Sequence, residues 1–153
     1  MSEIRKAHKS DIQRCAEIMA VTPIWEKYER TMDDALTFIK NELNAGNFIW
    51  VYEEENTVKG FIGCVEHGMM GEFPYVRMVM VDGSHQGKGI GTKLLNYLED
   101  LMFRNKHLIF MMVTDFNTDA LRLYRRLGYE KVGEIPDYKK EGVNEYLLMK
   151  RKK

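Results

Sequence analysis

The stretch "VDGSHQGKGIGTKLLNYLED", from Val81 to Asp100, joins two patterns of different period. Before it, "FPYVRMVMVD" is almost continuously apolar and reads as a buried, central strand. Within it, Ile90, Leu94, Leu95, Leu98, Leu101 and Met102 form one stripe of a helix from about Gly89 to Arg104. Between strand and helix stand three alternate glycines, Gly87, Gly89 and Gly91. Such a loop favours anions. Free amides point outward at a helix N-terminus, the helix dipole adds partial positive charge, and glycines let backbone approach a phosphate. Two known phosphate loops fail on spacing. A P-loop needs glycine where Asp82 stands, and Ser or Thr where Gly89 stands. A dinucleotide fingerprint needs a third glycine where Thr92 stands.

Outward from the loop, "EIRKA" reads as a first strand and "KSDIQRCAEIMA" as a helix capped by Ser10. "VTPIWEKYER" interrupts it, because Pro23 opposes helix continuation. "TMDDALTFIKNELNAG" is a second helix, capped by Thr31 and closed near Gly46. "NFIWVYEEENTVKGFIGCVEHG" gives two strands joined at "EENT". After the glycine loop and its helix come a buried strand, "HLIFMMVTD", and a short helix, "NTDALRLYRRLG", closed by Gly128. Two last strands, "YEKVGEIPDY" and "NEYLLMKR", are separated by "KKEGV". Strands and helices alternate irregularly in one layered system, so the class is α/β with α+β character.

The 153 residues suit one domain, 1–153. Lys plus Arg equals Asp plus Glu at 23 each, which gives no case for nucleic-acid binding. Cys15 and Cys64 form no ligand cluster with the four histidines, so no metal site is expected. No apolar run approaches the ~18 residues of a membrane span, and the N-terminus lacks a signal peptide's apolar segment. A cytoplasmic protein is the expectation.

The order V-D-x-x-x-Q-G-K-G-I-G-T-K-L-L, from Val81 to Leu95, resembles the acetyl-CoA loop of the GNAT N-acetyltransferase superfamily. Its core Q/R-x-x-G-x-G/A is matched by Gln86, Gly89 and Gly91. Downstream, "NTDALRLYRRLGY" resembles the family's N-x-x-A-x-x-x-Y-x-x-x-G-F/Y element through Asn117, Ala120, Tyr124, Gly128 and Tyr129. Two separated motifs in the right order are far more specific than either alone. The resemblance spans nearly the whole chain. It implies a GNAT fold: a mixed, mostly antiparallel twisted sheet of about seven strands with about four helices, splayed between the fourth and fifth strands.

The resemblance also implies chemistry. Acetyl-CoA is the expected cosubstrate, with its pyrophosphate on Gln86, Gly87, Lys88, Gly89, Ile90 and Gly91. Lys88 reads equally as a solvated surface lysine. The pantetheine arm pairs with the edge of Val79, Met80 and Val81, as an added strand would. Asn117 contacts the cofactor, caps the next helix, or does both. Tyr124 protonates the leaving thiolate; packing in the core is its other reading. The family's usual glutamate bases are missing, since Tyr75 and Met112 occupy those positions. Glu72, Glu66, His67 and water remain as candidate bases. Acceptor recognition falls on "TPIWEKYERT" and "PDYKKEGVNEY", where Trp25, Tyr28, Tyr138 and Tyr146 could wall a pocket and Glu26, Glu29 or Asp137 attract an amine. The acceptor is a small-molecule amine or a peptide amine. A GNAT-fold module that senses acyl-CoA without turnover is the competing reading. The eleven methionines allow a homodimer contact or core filling.

Overall fold

A computed structural model describes residues 1–153. Seven strands form one sheet: β1 (Ser2–Lys6), β2 (Phe48–Glu54), β3 (Thr57–Met69), β4 (Phe73–Val81), β5 (Leu108–Thr114), β6 (Glu130–Lys140) and β7 (Val143–Arg151). The order across the sheet is β1-β2-β3-β4-β5-β7-β6, and every pairing is antiparallel except β4 with β5. Five helices flank it: α1 (Ile12–Ala20), α2 (Pro23–Lys27), α3 (Met32–Asn44), α4 (Ile90–Met102) and α5 (Thr118–Arg126).

The extra helix, α2, falls inside the stretch expected to be irregular. Pro23 does end α1, but it also opens α2, where its missing N–H is one that no helix would satisfy. Thr22 caps it by accepting from the amide of Trp25 at 3.3 Å. Thr31 caps α3 as expected, in a reciprocal box with Asp34 at 3.1 and 2.9 Å. Ser10 does not cap α1. The chain turns earlier, in a 3-10 turn over Lys9–Asp11, and Asp11 accepts from the amide of His8 at 2.7 Å. Arg5 grips the same carboxylate through two bonds of 2.9 and 3.0 Å, which holds Asp11 below the usual carboxylate range. The final hairpin is longer than expected, because β6 continues through "KK" to Lys140.

Each sheet face carries its own apolar cluster. Cys15, Ala16, Ile18, Met19 and Ile39 of α1 and α3 pack on Ile49, Val51 and Phe61. On the other face, Ile90, Leu94, Leu95 and Leu98 of α4 pack on Ile62, Val76, Ile109, Met111 and Leu148. Both cysteines are free and buried, Cys15 in the first cluster and Cys64 in the second.

Two features of β4 position the site. Gly63 faces Met78 while Cys64 faces Val76, so Arg77 is an extra residue, a β-bulge that bends the strand. Beside β5, only Tyr75 and Val76 are paired, with Phe110 and Met111. Beyond that point β4 and β5 diverge, as the resemblance implied.

Candidate active site

The divergence opens a cleft of about 670 Å³. One wall is the freed edge of β4, Val79–Val81; the other is α5 with Phe116 and Asn117 ahead of it. The mouth is the glycine loop. Gly87 and Gly89 adopt φ of 79° and 80°, the left-handed region that glycine enters without penalty. Gly89 is the N-cap of α4, and a Cβ there would meet no atom within 4 Å. Conformation therefore demands this glycine, and open space in front of it is left for a ligand. α4 begins without a side-chain cap, so its first amides face that space.

The loop is held from behind. Asp82 accepts from Arg14 at 2.5 Å and from the amide of Ser84 at 3.3 Å. Arg14 also donates to the carbonyl of Val58 at 3.0 Å, which ties α1 and β3 to the loop's first residue. Gln86 donates back to the carbonyl of Val81 at 3.4 Å. Of the expected cofactor contacts, Val79, Met80, Val81, Gln86, Gly87, Gly89, Ile90, Gly91 and Asn117 all line the cleft. Lys88 is exposed and does not. Asn117 accepts from the amide of Ala120 at 3.4 Å, so it caps α5 as well as facing the cleft.

Tyr124 lines the same cleft from α5 and is 8% exposed. Burial pushes its phenol up to about 12, so it is protonated at neutral pH. Its ring meets Tyr129 edge-on at 6.2 Å between centroids. The two hydroxyls differ. Tyr129 donates to Glu99 at 2.9 Å, and Lys150 donates to the other oxygen of that carboxylate at 2.7 Å. The Tyr124 hydroxyl has no protein acceptor and is left for the cleft.

A geometry with a freed strand edge, uncapped amides behind left-handed glycines and a buried phenol suits a long amide-containing ligand with a phosphate end. The family model for the GNAT acetyltransferases matches residues 12–129. The chain belongs to the GNAT family. Among relatives of this N-acetyltransferase, the L-methionine sulfoximine/L-methionine sulfone acetyltransferase of Salmonella typhimurium is 29% identical over 141 residues, covering 87% of this chain and 82% of that protein. The N-alpha-acetyltransferase RimI of Mycobacterium tuberculosis is 30% identical over 145 residues, covering 92% and 86%. An uncharacterized Mycobacterium leprae protein, ML0378, is 29% identical over 144 residues, but the chain spans only 38% of its length. The solved structure of the acetyltransferase yncA of Salmonella typhimurium, with its cofactor acetyl-CoA, superposes with a TM-score of 0.76 at 26% identity, over 99% of this chain and 94% of that one. Acetyl-CoA is the cosubstrate, and the chain is an N-acetyltransferase.

The three base candidates lie elsewhere. Glu66 and His67 are half-exposed at the end of β3, 3.9 Å apart, and Glu72 is exposed in the following turn. None lines the cleft. At roughly 3.3 Å per strand residue, Glu72 stands on the order of 20 Å from Val79. Among the aromatic candidates, Trp25 packs against Phe38 at 5.9 Å and donates to the carbonyl of Thr31. Tyr146 lies on the α4 face under Lys131, and Tyr138 is exposed. Only Tyr28 reaches a buried carboxylate, Glu145, at 3.4 Å. Sequence reading missed Glu145, although it shares a strand face with apolar Val143 and Leu147, a signal that could have marked it as inward-facing. It also missed Arg122 and Arg126, which line the cleft and resemble ordinary cations on the outer face of α5.

Proposed function

We propose that the chain moves the acetyl group of acetyl-CoA directly to a primary amine, with Tyr124 protonating the departing thiolate. The observation that carries this reading is the Tyr124 hydroxyl: it lines the cleft, holds its proton and has no protein partner. Direct transfer is favoured because neither cysteine lines the cleft and burial pushes both thiols up to about 12. A phenol at about 12 is a weaker acid than a thiol near ~8.5. Tyr124 therefore works as a relay, giving its proton to sulfur while regaining one from the attacking nitrogen. A β4 amide near the bulge polarises the thioester carbonyl, as an oxyanion hole does. Val79–Val81 seat the pantetheine arm, and Gln86, Gly87, Gly89, Ile90 and Gly91 seat the pyrophosphate. The reading takes residues 1–153 as one such domain, acting in the cytoplasm on a small-molecule or peptide amine.

The test is thiol release from acetyl-CoA against L-methionine sulfone, a peptide with a free N-terminal alanine and an aminoglycoside. The wild type is expected to release thiol with at least one of them. Tyr124→Phe should lower kcat about 100-fold with the dissociation constant for acetyl-CoA unchanged. Equal turnover in the variant would remove Tyr124 from the mechanism. Tight acetyl-CoA binding without thiol release across the panel would favour an acyl-CoA sensor instead.

A further inference from the structure

Four carboxylates are only 7% exposed: Asp11, Glu42, Glu99 and Glu145. Three of them have a cation in contact. Arg5 holds Asp11 at 2.9 Å, Arg77 holds Glu42 at 2.7 Å, and Lys150 holds Glu99 at 2.7 Å. Glu145 has none. Its Oε1 takes one long bond of 3.4 Å from Tyr28, and its Oε2 is buried with no partner. Directly across the strand pair, Thr114 at the end of β5 also has a buried, unpartnered hydroxyl. Burying a charged acceptor without a donor costs more than the ~1–3 kcal/mol of a neutral group, so such an atom calls for an explanation.

The position supplies one. Strand alternation puts Leu148 on the α4 face, hence Glu145 on the face of α1–α3; Val113 and Thr114 divide in the same way. The loop and Tyr124 lie on the α4 side. β4 and β5 are paired only at Tyr75 and Val76, and Phe116, two residues past Thr114, lines the cleft; Glu145 is outside that lining, across β5 on β7. Segments around α2 bridge the same place: Thr22 and Ile24 line the cleft, Lys27 lies over the Phe116 ring at 5.0 Å, and Lys140 donates to the carbonyl of Lys27.

Building on the acetyltransferase reading, we propose that Glu145 seats the acceptor's ammonium group and serves as the base. In its ionised form a carboxylate only accepts hydrogen bonds, and the partner that then fits its bare oxygen is a donor. An ammonium supplies both the donor and the charge that the other three buried carboxylates already have. The step balances. Glu145 takes one proton from the ammonium. The C–N bond forms and the C–S bond breaks. Tyr124 gives its proton to sulfur and regains one from nitrogen. Glu145 then releases its proton to water.

The groups around Glu145 suit the role. Desolvation raises its pKa, with Asp115 after β5 adding to the rise; Lys139 of β6 and the Tyr28 hydroxyl act the other way. Tyr75 of β4 is near enough to feel its charge. A carboxyl with a raised folded pKa binds its proton more tightly folded than unfolded. Its burial therefore stabilises the fold less as pH rises through that range, and replacing it should remove the loss.

The experiment compares wild type, Glu145→Gln and Glu145→Asp from pH 6 to 10, using the best wild-type acceptor of the panel above. Glu145→Gln should lower kcat/KM about 100-fold at pH 7, leave acetyl-CoA affinity unchanged, and regain activity towards pH 10, where the amine sheds its own proton. Glu145→Asp should restore part of the activity at pH 7. The thermal midpoint of Glu145→Gln at pH 8 should equal or exceed the wild-type value. An unchanged kcat/KM, or an equal fall at every pH with a lowered midpoint, overturns the role of Glu145 and leaves acetyl transfer standing. No thiol release by wild type with any acceptor overturns both.

Discussion

The two proposed binding sites, for donor and for acceptor, are made from different materials. The proposed donor site is mostly backbone: a freed strand edge at Val79–Val81, left-handed Gly87 and Gly89, and the uncapped amides of α4. The proposed acceptor site is made of side chains. Tyr28 and Glu145, the proposed acceptor site, meet from positions 117 residues apart and lie outside the residues that line the cleft. A cosubstrate shared by a whole family can be held by backbone geometry, which tolerates drift in sequence. An acceptor particular to one member needs side chains that can change without disturbing that geometry.

The largest expected effect tests whether the donor end rests on backbone and charge. Gly89→Asp and Gly89→Asn place nearly the same volume at a left-handed position that both residues tolerate better than others do. Only aspartate sets a negative charge against the pyrophosphate. Titration with acetyl-CoA should show about 100-fold weaker binding for Gly89→Asp and about tenfold for Gly89→Asn, the gap arising from like-charge repulsion. Equal affinities for the two variants would show that the loop does not hold phosphate.

A smaller effect sharpens the contrast within one motif. Tyr124 and Tyr129 are five residues apart and in ring contact, yet one hydroxyl faces the cleft and the other is bonded to Glu99. Tyr129→Phe leaves a buried carboxylate oxygen short of its donor. It should lose about 1–3 kcal/mol in urea unfolding while kcat holds near the wild-type value. Tyr124→Phe should do the reverse. If Tyr129→Phe lowers kcat as much as Tyr124→Phe, the division between structural and chemical tyrosine fails.

The same contrast explains what was legible in the sequence. The fold, and the gathering of the glycine loop and α5 around one cleft, follow from local signals: glycine spacing, a helical stripe, and a second motif at the right distance. Local signals misplaced the start of α1, because Asp11 takes its role from Arg5, a residue on β1. They hid α2, because Pro23 both stops one helix and starts another. Glu145 was missed for a different reason. Its same-face neighbours Val143 and Leu147 are apolar, but that pattern alone does not show that the carboxylate lacks a counter-ion. Tyr28, just after α2, reaches it across the fold, and its missing contact cation is a property of the assembled sheet.

The smallest effect concerns Asn117, at the start of α5 on the cleft wall. Its Oδ1 caps α5 by accepting from Ala120, and the residue also faces the cleft, where its amide nitrogen can donate. Asn117→Ala removes both functions, and should cost about 1 kcal/mol of stability and about fivefold in acetyl-CoA affinity. Asn117→Asp keeps an acceptor for the cap but has no donor. It should recover the stability without the affinity. If both recover together, Asn117 serves the cofactor only by holding α5, and with it Tyr124, in place. If stability alone recovers, the side chain itself touches the cosubstrate, and the donor end carries at least one contact that backbone cannot make.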